Sequence, residues 1–188
     1  MSSAFLLLHG LYGSSPGHWQ HWLAPRLQSA GQQVLFPELP DPDTPDPAAW
    51  EQTVLDELRR LDGDERVVLC HSLSCIAWLR ACPRVEAPVD RVGLIAPPSL
   101  SAALPELKPF FPVIATADDV ARAARHTRLI CSDNDPFCPE GAATLYSGPL
   151  NIPVDLQPGR EHLNVDAGFG PWPAMEAWAQ GAKKGVET

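Results

Sequence analysis

Several absences narrow the reading before any motif is considered. No stretch of this sequence approaches the roughly 20 consecutive apolar residues that a membrane span needs. Lys and Arg number 14 against 23 Asp and Glu, and they form no run. With a formal net charge of -9 and a pI near 5.0, the chain offers a phosphate backbone nothing to grip, so nucleic acid is not an expected partner. Met1-Ser2-Ser3 lacks the basic flank and long apolar stretch of a signal peptide, and a cytoplasmic address is expected. Five cysteines are present but no C-x-x-C pair, and the count is odd, so reduced thiols are expected in place of a disulfide framework. No internal repeat is found.

What is present is the composition of one globular unit. At 188 residues, 45% hydrophobic and 20% charged, the chain is expected to fold as a single domain spanning 1–188. Proline is in surplus: 21 residues, about twice the usual share of roughly 5%, with no period. The densest cluster, 37–47 with Asp41, Asp43 and Asp46 interleaved, reads as a surface connection.

Along the chain, apolar runs and helical periodicities alternate. Strands are expected at 4–8, 34–36, 67–70, 92–96, 129–131 and 152–156. Helices are expected through Trp19, Trp22, Leu23 and Leu27, with a bend at Pro25 and a C-cap at Gly31, and through Trp50, Val54, Leu58 and Leu61. Others are expected at 75–81, 118–125, 139–146 and 173–182. Residues 97–118 break the pattern, with leucines and phenylalanines among prolines, and suit a lid or pocket wall or, equally, a loop folded against the core. The alternation implies an open, mostly parallel sheet with helices on both faces, whose ligands bind beyond the carboxyl ends of the strands.

The informative segment is Val67-Val68-Leu69-Cys70-His71-Ser72-Leu73-Ser74-Cys75, a strand running into a helix with serine at the turn. That is the context of a nucleophile elbow, whose usual pattern is G-x-S-x-G. Cys70 and Ser74 stand where the glycines would be: both are small, and the pattern itself is not matched. A serine at that place could equally be a helix N-cap. Asp135 follows a later strand and His162 the next, giving the chain order Ser, Asp, His of the α/β-hydrolases. A serine hydroxyl becomes a useful nucleophile only when an imidazole takes its proton and a carboxylate orients that imidazole. Backbone N–H groups of Leu11 and Leu73 are the expected oxyanion hole.

Four segments carry a resemblance that covers nearly the whole chain. They are His9-Gly10-Leu11-Tyr12-Gly13-Ser14-Ser15-Pro16-Gly17-His18-Trp19; Cys70-His71-Ser72-Leu73-Ser74; Ser132-Asp133-Asn134-Asp135-Pro136-Phe137-Cys138-Pro139; and Glu161-His162-Leu163-Asn164 with Gly168-Phe169-Gly170-Pro171-Trp172-Pro173. In these the sequence resembles the small single-domain α/β-hydrolases of the retinoblastoma-binding-protein-9 and YdeN-like serine hydrolase family. The resemblance implies an α/β-hydrolase fold with minimal or no lid, Ser72 as nucleophile, Asp135 as orienting acid and His162 as base. The sequence departs from the family at the elbow, where Gly-His-Ser-x-Gly is usual.

Asp133 competes with Asp135 for the acid. Cys70 and Cys75 flank the serine, inviting a thiol-nucleophile or zinc reading, but neither sits at the apex and the spacing is not that of usual metal ligands. The expectation is therefore a serine hydrolase of carboxylesterase type that needs no cofactor or metal. It would cleave a small ester, amide or thioester through an acyl-Ser72 intermediate. A weak or inactive hydrolase fold serving as a protein-binding module, through the apolar segment 97–111, is the alternative.

Overall fold

A computed structural model describes residues 2–181 and 185–186. Six strands form one sheet: β1 (Ser3–Leu8), β2 (Gln33–Leu35), β3 (Glu65–His71), β4 (Val89–Ile95), β5 (Ala124–Cys131) and β6 (Val154–Leu156). Their order is β2-β1-β3-β4-β5-β6, and every neighbouring pair is parallel. Parallel neighbours need crossovers, supplied by α1 (Trp19–Ser29), α2 (Pro47–Arg60), α3 (Leu73–Ala81) and α4 (Ala117–Ala123). Helix α6 (Pro173–Ala179) follows a π-helical turn (Ala143–Ser147), a short α5 (Gly148–Leu150) and β6.

Strand side chains alternate between two buried layers. Leu6, Leu8, Val68, Cys70, Val92 and Leu94 face α2, α3 and α4 through Trp50, Val54, Ile76 and Val120. Phe5, Leu7, Val67, Leu69, Ile95 and Ile130 face α1 and α6 through Trp19, Leu23, Met175 and Trp178. Burial on both faces is why these strands read as continuous apolar runs.

Element ends differ from the sequence reading where a specific constraint acts. Helix α1 runs through Pro25 to Ser29, and Gly31 at φ 77° turns the chain towards β2. Helix α4 stops at Ala123, two residues early, because 124–128 extends the ladder against β4 and Arg125 pairs with Asp90. The helix expected at 139–146 begins only at Ala143, since Gly141 closes a turn onto Cys138 at φ 83°. The expected end of the last helix, Ala182, lies outside the described residues. Within 97–118 the chain forms two 3-10 turns, Leu100–Ala102 and Pro105–Phe110, with Leu107 and Phe110 buried. No helix among the described residues is long and apolar enough to cross a membrane.

Helix α2 begins at an Asp46 cap whose carboxylate accepts from Ala49 N–H at 2.8 Å. Replacing Asp46 with Ala is expected to lower stability by about 1 kcal/mol, read as a shift in the urea midpoint with unchanged slope.

Candidate active site

The turn between β3 and α3 leaves Ser72 alone to reverse the chain. It adopts φ 56°, ψ -124°, a conformation that costs a residue with a Cβ about 1–3 kcal/mol. Two backbone hydrogen bonds hold it there: Ser72 N–H donates to Ile95 O, and Cys75 N–H donates to Ser72 O, each at 2.9 Å. Ser72 occupies the N-cap position of α3, yet its hydroxyl makes no capping bond. Its Oγ lies instead 2.9 Å from Nε2 of His162.

Close approach explains two neighbours of the turn. A Cβ added at Gly10 would stand 2.7 Å from the Ser72 Cβ, closer than such atoms come, so only glycine fits there. At position 74 the hydroxyl is fully engaged: Ser74 Oγ accepts from His71 N–H at 3.0 Å and lies within donating distance of Leu8 O (2.8 Å) and His71 O (2.9 Å). Cys70 is wholly buried, and the Cys75 thiol donates to Cys70 O and Ile95 O. Burial pushes both thiols well up, away from the thiolate form.

The segment Ser132 to Asp135 assembles the rest of the site, each side chain with a separate partner. Asp133 accepts from Gly159 N–H (2.7 Å), Ser132 from Arg160 N–H (3.0 Å) and Asn134 from Glu161 N–H (2.8 Å). These three bonds latch the loop that carries His162, whose neighbours Glu161 and Leu163 both have positive φ. Asp135, 3% exposed, meets the imidazole: its oxygens lie 2.8 and 3.0 Å from Nδ1 of His162. Asp133 is exposed and engaged with Gly159 N–H, and of the two carboxylates it is Asp135 that lies within hydrogen-bonding distance of His162. A carboxylate only accepts, so with Asp135 ionised and the imidazole neutral the proton belongs on Nδ1 and the Nε2 lone pair faces the Ser72 hydroxyl.

Behind His162 stand two more buried imidazoles. His71 donates from Nε2 to His162 O at 3.0 Å, and the His18 ring lies 4.6 Å from the His71 ring, centroid to centroid. Burial is the main cause holding both neutral: His71 is pushed well below the ordinary histidine value and His18 down to about 3. His18 also caps α1, accepting from Gln20 N–H. His9 is likewise lowered by burial and bridges Gly10 O and Leu39 N–H.

Ser72 and His162 open onto a cavity of about 400 Å³. Its walls include Leu11, Tyr12, Pro98, Leu104, Leu107, Phe137 and Val165, so the segment 97–118 supplies one side of it. That segment is tied to the Asp135 loop: Ser99 N–H donates to Phe137 O, and the Ser99 and Ser101 hydroxyls donate to Glu140. Leu11 borders the cavity, and its N–H donates to no acceptor among the described residues. Leu73 is the first residue of α3, where an N–H has no acceptor within the helix. Among the described residues no group of three His, Cys, Asp or Glu is placed to hold a metal ion. Sequence reasoning missed the latch made by Ser132 and Asn134 and the tethers of Ser74 and Glu140. The dense polar run at 132–135 was the available signal for the first.

A six-stranded parallel sheet of this order, with a serine on a strained strand-to-helix turn beyond its carboxyl edge, defines an α/β-hydrolase. The chain belongs to the Serine hydrolase family, whose family model matches residues 5–180. It is 27% identical over 179 residues to YdeN of Bacillus subtilis (strain 168), with 93% of each chain covered. The crystal structure of the B. subtilis ydeN product superposes with a TM-score of 0.83 at 23% identity, covering 96% of this chain and 97% of that one. A YdeN-like hydrolase from Pectobacterium atrosepticum gives 0.70 at 20% identity, with 94% and 88% covered. Est1E of Butyrivibrio proteoclasticus, solved with ferulic acid bound, gives 0.66 at 14% identity, with 87% and 82% covered.

Two expected outcomes test this geometry. Gly10→Ala should displace the Ser72 turn and lower the melting temperature, read by thermal unfolding followed by circular dichroism. The buried histidines also set an acid limit. Unfolded, they take up protons near pH 6.5; folded, His9, His18 and His71 do so only at lower pH. Below pH 6.5 the unfolded chain therefore binds more protons, and stability falls by up to about 1.4 kcal/mol per pH unit for each group. Urea midpoints should be highest above pH 6.5 and lower at pH 5; equal midpoints at the two pH values would contradict the buried, neutral assignment.

Proposed function

We propose that this protein is a carboxylesterase-type serine hydrolase that acts on small esters through an acyl-Ser72 intermediate. The observation that carries the reading is the line of contacts from Ser72 Oγ through His162 to Asp135, 2.9 and 2.8 Å long, opening onto a solvent-accessible cavity walled in part by Leu11, Leu104, Leu107 and Phe137. Membership of the Serine hydrolase family supports the hydrolytic class.

In the proposed cycle His162 Nε2 takes the hydroxyl proton as Ser72 Oγ bonds to the acyl carbon. Charge moves onto the carbonyl oxygen, which accepts from the N–H groups of Leu11 and Leu73. His162 then gives the proton to the departing alkoxide, releasing the alcohol and leaving the acyl-serine ester. Water, deprotonated by the same nitrogen, attacks that ester and releases the acid, and Ser72 recovers its proton. Asp135 holds the Nδ1–H tautomer and balances the imidazolium that forms at each half-cycle. None of these steps calls on a metal or organic cofactor. The five unpaired, buried thiols suit a reducing compartment such as the cytoplasm.

Fluorophosphonate treatment followed by intact-mass and peptide mapping is the direct test. One adduct is expected, on Ser72, absent from Ser72→Ala and strongly reduced in His162→Ala. With p-nitrophenyl butyrate, kcat/KM should fall at least about 10³-fold in Ser72→Ala and in Asp135→Asn. A well-folded parent that takes up no label would overturn the reading in favour of a protein-binding module.

A further inference from the structure

We infer that Ser74 is a positioning residue for the Ser72 turn, tying it to the end of β1 from which the Leu11 loop departs. The inference rests on the hydrolase reading above. At this position the usual elbow carries glycine, whose role is only to leave room. Here the side chain is wholly buried and its one oxygen spans two strands. It accepts from His71 N–H, the amide just before the nucleophile, and its one hydrogen is within reach of Leu8 O at 2.8 Å, two residues before Gly10, and of His71 O at 2.9 Å. Gln20 Nε2 donates to the same Leu8 carbonyl at 2.8 Å, so that carbonyl is held from two sides.

The geometry matters because the two candidate oxyanion donors sit on different segments. Leu73 N–H moves with the turn, and Leu11 N–H moves with the loop after β1. The carbonyl oxygen of a substrate must meet both while its carbon meets Ser72 Oγ. Backbone hydrogen bonds of the β1·β3 ladder, paired from Ser3 with Glu65 to Leu8 with Cys70, fix the strands but end before either donor. The Ser74 hydroxyl is the side-chain link that continues this registry beyond the ladder. A glycine would leave His71 N–H without this acceptor and Leu8 O with Gln20 alone, in a buried region.

The test compares kcat and KM for p-nitrophenyl butyrate in the parent, Ser74→Ala, Ser74→Gly and Ser74→Cys, with Ser72→Ala as the blank. Assays run at a temperature where near-ultraviolet circular dichroism shows each variant folded. Ser74→Ala and Ser74→Gly should lower kcat by about 10- to 100-fold with KM changed less than about two-fold, the fluorophosphonate labelling rate falling in step. Ser74→Cys, isosteric but a weaker donor, should lie between them and the parent. Lower melting temperatures with kcat unchanged would overturn the inference, as would a Ser74→Gly enzyme at or above parental kcat. Should Ala and Gly variants fail to fold, Ser74→Cys decides: parental kcat overturns the inference, an intermediate kcat upholds it. A parent that turns over no ester fails the hydrolase reading itself and the inference with it, whereas an active parent with unimpaired variants fails the inference alone.

Discussion

Ser72 holds a backbone conformation that its own side chain disfavours, and much of the surrounding structure serves to keep it there. A strain of about 1–3 kcal/mol is a sizeable part of the roughly 5–15 kcal/mol by which a domain is stable, so the turn must be over-determined by its neighbours. The backbone bonds to Ile95 O and from Cys75 N–H do part of this. Gly10 does another part by having no Cβ to collide with. The result is a hydroxyl lifted from the helix axis and aimed at an imidazole, where an unstrained serine would have capped α3.

The opposite wall of the site follows a different logic. Four consecutive polar residues, Ser132 to Asp135, follow β5, and only the last touches His162. The other three hold the backbone on which His162 rides, so the imidazole is fixed from its own loop as well as through its Nδ1. His71 adds a bond to the His162 carbonyl. The imidazole is thereby oriented by contacts to its ring, its backbone and its flanking turns, which is what a group needing sub-ångström placement requires.

Fold class was legible because parallel strands buried on both faces leave an unmistakable apolar run, and their alternation with amphipathic helices admits few architectures. Trp50, Val54 and Leu58 marked α2 for the same reason. Boundaries were less legible where tertiary pairing overrides local pattern. The sequence pattern predicts helix as far as 125 and strand only from 129, yet 124–128 extend β5 because β4 offers them a ladder. Ser72, Asp135 and His162 could be picked out from residue type, chain order and position after strands, and the structure brings them within hydrogen-bonding distance. Nothing in the one-dimensional pattern distinguishes Ser74 as a cross-strand link from Ser74 as a small filler, since Leu8 lies 66 positions away in the chain. The tie between Glu140 and the 97–118 wall was hidden likewise, its partners being about 40 residues apart.

The contact between Ser72 and His162 closes a span of 90 residues. Gly10 comes from the first strand's end, Ser72 from the third's, Asp135 from the fifth's and His162 from beyond the sixth's. No fragment shorter than residues 10–162 holds the cluster. Long-range closure of this kind is entropically costly and slow compared with forming a helix. The serine and imidazole are therefore neighbours only when β3, β4, β5 and the loop after β6 are all in place, so the reactivity of that pair reports on the assembly of this edge of the sheet.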